Sequence, residues 1–226
     1  MFKFLKNIKQ YFKKLKFVKE HKKKIQKEGA LLNSFTKKKC IFIHIPKTAG
    51  ISVVKAFFGD VTLEGHRSVL FYQKVFGKQY SDFFTFTIVR NPWERLYSAY
   101  KFLEKGGVNI HDQNAFRMHL SKYKNFEDFV INGLNDRLIF EITHLIPQSE
   151  FICNNKGTIL VDYVGRFESL QEDIAVLSKK INSEIVMDHH NQNTKKSYTE
   201  IYTEEMILKV KKIYWKDINT FEYNFK

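Results

Sequence analysis

The sequence predicts an α/β domain with a central parallel sheet flanked by helices, and three observations predict it. Two short apolar runs dense in β-branched and aromatic residues, Cys40 to Ile45 and Phe83 to Val89, have the composition of strands buried on both faces. Each run breaks into a turn and then a stretch with helical spacing. Strand-like and helix-like stretches go on alternating afterwards, which sets strands side by side in parallel with helices covering the sheet.

Taken in order, Pro46 ends the first strand and Gly50 opens a helix through Phe58. Residues Arg67 to Tyr80 are expected to be helical. After the second strand, Asn91 can cap, Pro92 fits the first helical position where no N–H is needed, and Glu94 can reach back to the cap. Leu96, Tyr97, Tyr100 and Leu103 continue that helix. Asn125 to Leu134 is a capped helix, Thr158 to Val164 a strand, Ser169 to Glu172 a capping box for a helix ending near Ile181, and Thr203 to Trp215 a last helix. No internal repeat is present.

With 226 residues, 43% of them apolar, the chain can bury one substantial core but not two. The expected division is a basic amphipathic helix over residues 1–28, a linker over 29–39 marked by Gly29, Asn33, Ser34 and three lysines, and one domain over 40–226. The first segment holds eleven lysines against Glu20 and Glu28, a net of +9 out of the chain's +14. Its Phe4, Leu5, Ile8, Tyr11, Phe12, Leu15 and Val18 recur at three- and four-residue steps between the lysines. Three roles fit such a helix: an interfacial anchor on an anionic membrane, a solvated helix packed by its apolar stripe on the domain, and a polyanion binder. Nucleic acid fits least, because arginine and interleaved aromatics for strand recognition are lacking.

Cys40 and Cys153 stand far apart with no CxxC or Cys/His cluster, so neither a disulfide framework nor a structural zinc site is indicated. No apolar run reaches the roughly 18 residues of a membrane span, and no secretory leader is evident. The expected location is the cytoplasm, with a peripheral place at the inner face of the membrane if the basic helix binds lipid.

Two loops carry candidate chemistry. In the first, backbone N–H groups and the following helix dipole can cradle an anion, Lys47 adds a charge, Ala49 and Gly50 permit close approach, and Thr48 and Ser52 can donate. An ordinary strand-to-helix connection with a surface lysine has the same composition. The GxxxxGK[ST] pattern of nucleoside triphosphatases is missing. In the second loop, Arg90 stands at the carboxyl end of a strand, where ligands bind in open α/β sheets. Ser98 lies two turns into the helix. Arg95 reads as a surface partner of Glu94 or another carboxylate, and Ser98 equally as a small residue in a helix contact.

Taken together, Pro46-Lys-Thr-Ala-Gly-x-Ser52 and Arg90-Asn-Pro-Trp-Glu-Arg-Leu-Tyr-Ser-Ala-Tyr100 resemble the two signatures with which sulfotransferases bind 3′-phosphoadenosine 5′-phosphosulfate (PAPS). The likeness is to the carbohydrate sulfotransferases, which include bacterial members and the Golgi chondroitin and heparan enzymes. Val164 to Glu168, the Asn-rich stretch from His190 to Tyr198, and the ending Tyr214, Asp217, Phe221, Tyr223 extend it over Cys40 to Lys226. The resemblance implies a P-loop-like PAPS-binding sulfotransferase fold and transfer of a sulfuryl group to a hydroxyl of a glycan or lipid-linked saccharide, releasing PAP, with no metal. It assigns Lys47, Thr48, Ala49, Gly50, Ile51 and Ser52 to the 5′-phosphosulfate and Arg90 with Ser98 to the 3′-phosphate.

Lys47 is then also a catalytic candidate, stabilising the bridging oxygen as it leaves. His66 is the candidate base, because a histidine between the two nucleotide loops often faces the acceptor in this family, with Glu64 as fallback. A structural histidine is the plain alternative. His44 is expected in the core, Arg67 near an acidic sugar or Glu64, and Arg166 on the charged surface or paired with Glu168 or Glu172. Lys195, Lys196 and Tyr198 form a polar loop able to close over the nucleotide. A small nucleotide-dependent kinase and a non-catalytic membrane- or glycan-binding protein are the competing functions.

Overall fold

The fold is described from a computed structural model over residues 13, 15–183, 185, 187 and 197–225. The expectations for Phe4 to Phe12, His190, Lys195 and Lys196 lie outside these residues. Among the described residues, β1 (Cys40–Ile43), β2 (Phe84–Val89) and β3 (Tyr163–Arg166) form a parallel sheet in that order. Cys40 pairs with Phe84 and Phe86 with Tyr163, so all three strands end at one edge. Every residue of β1 is buried, as a strand covered on both faces requires. Cys40 and Cys153 are free thiols.

Helices cover this sheet: α1 (15–24), α2 (Leu31–Lys38), α3 (Gly50–Phe58), α4 (Val69–Phe76, extended by a 3₁₀ turn over Gly77–Asp82) and α5 (Pro92–Glu104). Short helices follow: α6 (Ile110–Ala115), α7 (Phe126–Asp128), α8 (Leu138–Glu141) and α9 (Ser149–Ile152). Beyond β3 come α10 (Leu170–Lys180), α11 (Glu204–Ile213) and α12 (Trp215–Thr220). No helix among the described residues is long and apolar enough to cross a membrane.

Three local expectations are corrected. Residues 29–39 are not a linker, because Leu31, Leu32 and Phe35 share one face of α2 and are buried. Phe35 meets Phe58 at 4.9 Å and Tyr72 at 5.7 Å, while Lys37 and Lys38 occupy the last turn, where cations suit the helix dipole. The third strand starts later than Thr158. Ile159 is drawn into an antiparallel bridge with Cys153, and the Asp162 carboxylate accepts from both the N–H and the hydroxyl of Thr85 at 2.7 Å, so parallel pairing begins only at Tyr163. Finally, Ser169 does not close a capping box. Its hydroxyl donates to Asp173, which also accepts from Arg166 N–H and the Tyr163 hydroxyl, tying α10 to β3.

The described part of the N-terminal helix packs on the domain. Phe17 and His21 rest against Phe71 of α4, with ring centroids 5.7 and 5.1 Å apart. If α2 belongs to the core, Phe35→Ala should lower unfolding stability by about 3–5 kcal/mol, as for other buried aromatics. A shift of the urea midpoint worth under about 1 kcal/mol would return residues 31–38 to the status of a connector.

Candidate active site

Because the strands are parallel and in register, the chain leaves β1, β2 and β3 at the same edge, and the two signature loops meet there. After β1 the backbone turns sharply: Lys47 and Ala49 both adopt left-handed φ, 69° and 62°. Each such non-glycine residue costs on the order of 1–2 kcal/mol. Side chains from three directions hold the turn. The buried Thr48 hydroxyl donates to Ile45 O at 3.0 Å, Arg95 reaches Pro46 O, and Arg90 donates to Lys47 O at 3.2 Å. The Thr48 hydroxyl thus helps to hold the loop that is expected to receive the ligand.

The turn delivers the chain into α3, whose first N–H groups, those of Gly50, Ile51 and Ser52, have no carbonyl one turn earlier to bond; the ladder starts with Val53 N–H to Ala49 O. Ile51 is 63% exposed, so this helix start lies at the surface. Such a terminus suits an anion. Gly50 has a second purpose: a Cβ there would stand 1.8 Å from the His44 ring, so the glycine is required by the imidazole lying on it.

At the second loop Asn91 caps α5 as expected, accepting from Trp93 N–H at 3.1 Å. Glu94 does not reach back to the cap. It pairs with Arg90 at 2.6 Å, and Glu168 instead accepts from Asn91 N–H at 2.6 Å. Arg90 also stacks on Phe167, the residue that follows β3, with its guanidinium 3.9 Å from the ring centroid. Its backbone is clamped at both ends by Gln148, which accepts from Arg90 N–H and donates to Arg90 O, each at 2.8 Å. The Gln148 and Ser149 N–H groups are fixed in turn by the buried Asp217 carboxylate. Ser98 lies one turn beyond Glu94 on the same face of α5 and is partly exposed.

Arg95 is not a surface residue and has no carboxylate partner among the described residues. It is 1% exposed, and its guanidinium donates to the carbonyls of Pro46, His144 and Ile146. Arg166 pairs with neither Glu168 nor Glu172; it donates to Phe221 O and stacks on Tyr223. Tyr198 packs edge-on against Phe225, whose ring also meets Trp93 at the start of α5.

Beside the first loop three histidines gather. His66 lies 4.4 Å from the His44 ring and 5.8 Å from that of His144, centroid to centroid. The Nδ1 of His66 is 3.1 Å from His44 O. A carbonyl only accepts, so Nδ1 carries the proton and Nε2 keeps the basic lone pair. Burial, the largest influence, lowers the pKa of all three: His44 to about 3 and His144 to about 4, with His66 shifted the same way. Lys47 extends toward the same cluster, its ammonium 4.0 Å from the centroid of Phe102, which in turn meets His144 at 4.9 Å.

Glu64 is no alternative base. Its carboxylate is buried and held by Lys24 at 2.7 Å, with His21 Nε2 3.3 Å away. Arg67 does not pair with it and lies over the rings of Phe17 and Phe71. A cleft of about 610 Å³ lined by Ser149, Trp215 and Lys216 includes none of Lys47, His66, Arg90 or Ser98.

Phe102, His144, Gln148 and Asp217 escaped assignment from sequence as parts of this site. Asp217 stands in a recognised ending motif, whereas the other three carry no local pattern and reach the site only through folding.

Residues 31–224 match the family model described as the Sulfotransferase family. An uncharacterized protein of Archaeoglobus fulgidus is 30% identical over 106 residues, covering 46% of this chain and 72% of that protein. No solved structure matches the chain.

The histidine cluster fixes a direction of pH dependence. Unfolded histidines take up a proton near 6.5, whereas His44 and His144 in the fold do so near 3 and 4. Between those values the unfolded chain binds more protons, so their contribution is complete above pH 6.5 and is lost as pH falls, by up to about 1.4 kcal/mol per pH unit for each ring. Urea unfolding followed from about pH 7 to about pH 4.5 should show this slope, and His44→Asn should flatten it; an unchanged slope in the variant would contradict the burial of that ring.

Proposed function

The chain belongs to the sulfotransferase family, and we propose that the sulfuryl group it transfers comes from PAPS and goes to a hydroxyl of a carbohydrate, releasing PAP. The observation that supports this donor is the hydrogen bond from the Arg90 guanidinium to the carbonyl of Lys47. It sets the cationic group after β2 against the anion-suited turn after β1, so one nucleotide charged at both ends can engage both. The Lys47 to Ser52 loop would hold the 5′-phosphosulfate. Arg90, with Ser98 on the adjacent helix face, would take the 3′-phosphate, which must compete with Glu94 for the guanidinium.

Sulfuryl transfer needs in-line placement, neutralisation of charge on the bridging oxygen, and a base for the acceptor. Lys47 supplies the positive charge on the side of the histidine cluster. His66, its Nδ1–H committed to a backbone carbonyl, offers Nε2 to the acceptor hydroxyl. As the acceptor oxygen bonds to sulfur and the sulfur–oxygen bond to the 5′-phosphate breaks, Nε2 takes the hydroxyl proton. The lowered pKa keeps the ring neutral and ready at neutral pH. In this reading the lysine-rich segment over residues 1–28 meets anionic lipid at the inner face of a membrane, beside a lipid-linked saccharide acceptor.

The test incubates the protein with sulfur-labelled PAPS and a panel of glycans and reads transfer by mass. Lys47→Ala and Arg90→Ala should each reduce transfer by on the order of 10²–10³-fold; undiminished transfer in both would remove the assignment. His66→Ala should keep PAP binding while turnover drops on the order of 10²–10⁴-fold, and near-normal turnover would reject it as the base. The acid limb of kcat/KM should have its midpoint below the ordinary histidine value of 6.5.

A further inference from the structure

Residues 59–68 join α3 to α4 and carry His66 without forming a helix or strand beyond one isolated bridge. Among the described residues, apart from the bond between His66 and His44 O, the hydrogen bonds and ion pairs that hold residues 60–67 run to residues 21–31. Thr62 N–H donates to Gly29 O at 2.9 Å, and Leu31 N–H donates to Thr62 O at 3.4 Å. Two residues before His66, the Glu64 carboxylate is met by Lys24 at 2.7 Å and His21 at 3.3 Å, both on α1. One residue after it, the Arg67 guanidinium lies 4.9 Å from the centroid of Phe17, also on α1. His66 is thus bracketed by two side chains that the N-terminal helix grips.

The grip on Glu64 is the stronger of these because of where the charge lies. The side chain is 1% exposed, both contacts fall on Oε2, and buried Oε1 has no hydrogen-bond partner among the described residues. A buried carboxylate left without its ammonium is costly, and the cost is relieved either by taking up a proton or by moving until water reaches it; both loosen its present hold. Here the chain that would move is the one that carries His66.

We infer that α1 is a positioning element for the active site: Lys24, by holding Glu64 in the interior, sets the place at which His66 presents its Nε2. This rests on the reading of His66 as the acceptor-side base. The packed helix is then required for the geometry of transfer, whatever its preceding lysines contact.

The test reads the His66 ring directly in the full chain, by long-range ¹H–¹⁵N spectra of the imidazoles, alongside PAP affinity. Wild type should show His66 as the Nδ1–H tautomer. In Lys24→Met and in Glu64→Gln that signature should give way to a mixture of tautomers, and the His66 pKa should move up toward 6.5, while His144 stays and PAP affinity changes less than about twofold. Lys24→Arg, which keeps the charge, should restore the wild-type spectrum. An unchanged His66 spectrum in both Lys24→Met and Glu64→Gln would overturn the inference, as would simultaneous changes at all three histidines of the cluster, which would mean general loosening. Failure of the catalytic reading is separate: it would appear as normal turnover in His66→Ala, whatever the spectra show.

Discussion

A guanidinium buried among carbonyls is the contact on which the active-site edge depends. Arg95 is 1% exposed, and burial, the largest influence, lowers its pKa, countered in part by Tyr214 and Asp217. It satisfies its charge with three backbone oxygens from two separate stretches, Pro46 on one side and His144 and Ile146 on the other. Charge-assisted bonds of this kind are worth roughly 1.5–3 kcal/mol each when well formed. Two left-handed residues in the turn after β1 cost about 2–4 kcal/mol together, and only the contact to Pro46 reaches that turn. The 3.4 Å contact to Pro46 is the longest of the three, so the turn also needs Thr48 and Arg90. By gripping His144 O as well, Arg95 fixes the backbone of one member of the histidine cluster relative to the turn that carries Lys47.

The second constraint is the parallel sheet itself. Once β1, β2 and β3 share an edge, the residues that follow them are forced into company: Lys47 beyond β1, Arg90 beyond β2 and Phe167 beyond β3. Arg90 gathers the other two, donating to Lys47 O and stacking on Phe167, and pairs with Glu94 as well. Each partner comes from a different element, so the guanidinium is oriented before any anion arrives. Gln148 adds a grip on the Arg90 backbone, and Asp217 holds the Gln148 N–H from underneath.

Much of this was legible from residue pattern, and the exceptions have physical causes. Strands β1 and β2 and the capped start of α5 follow from apolar runs and from Asn91-Pro92, all local signals. The helix over Leu31–Lys38 was hidden because three lysines at its end outweighed the spacing of Leu31, Leu32 and Phe35. Glu94 and Ser169 each took a partner four residues away, Arg90 and Asp173, in place of the one three residues away that a capping box requires. Among site residues, Lys47, Arg90 and His66 were brought to one edge of the sheet. Arg95 was misread because a carboxylate neighbour in sequence suggests an ion pair, whereas its two terminal nitrogens donate instead to three backbone carbonyls. His144 and Gln148 belong to short helices and turns whose placement depends on the whole fold.

The contact between the His44 ring and the bare Cα of Gly50 binds two positions into one steric unit. Any side chain at 50 must be matched by a smaller one at 44, and a smaller residue at 44 opens a void at the helix start unless 50 grows. Random mutagenesis that changes one codon at a time would therefore find both positions intolerant. Paired libraries are the route by which this loop can be reshaped, and they would reveal which alternative pairs refill the same volume.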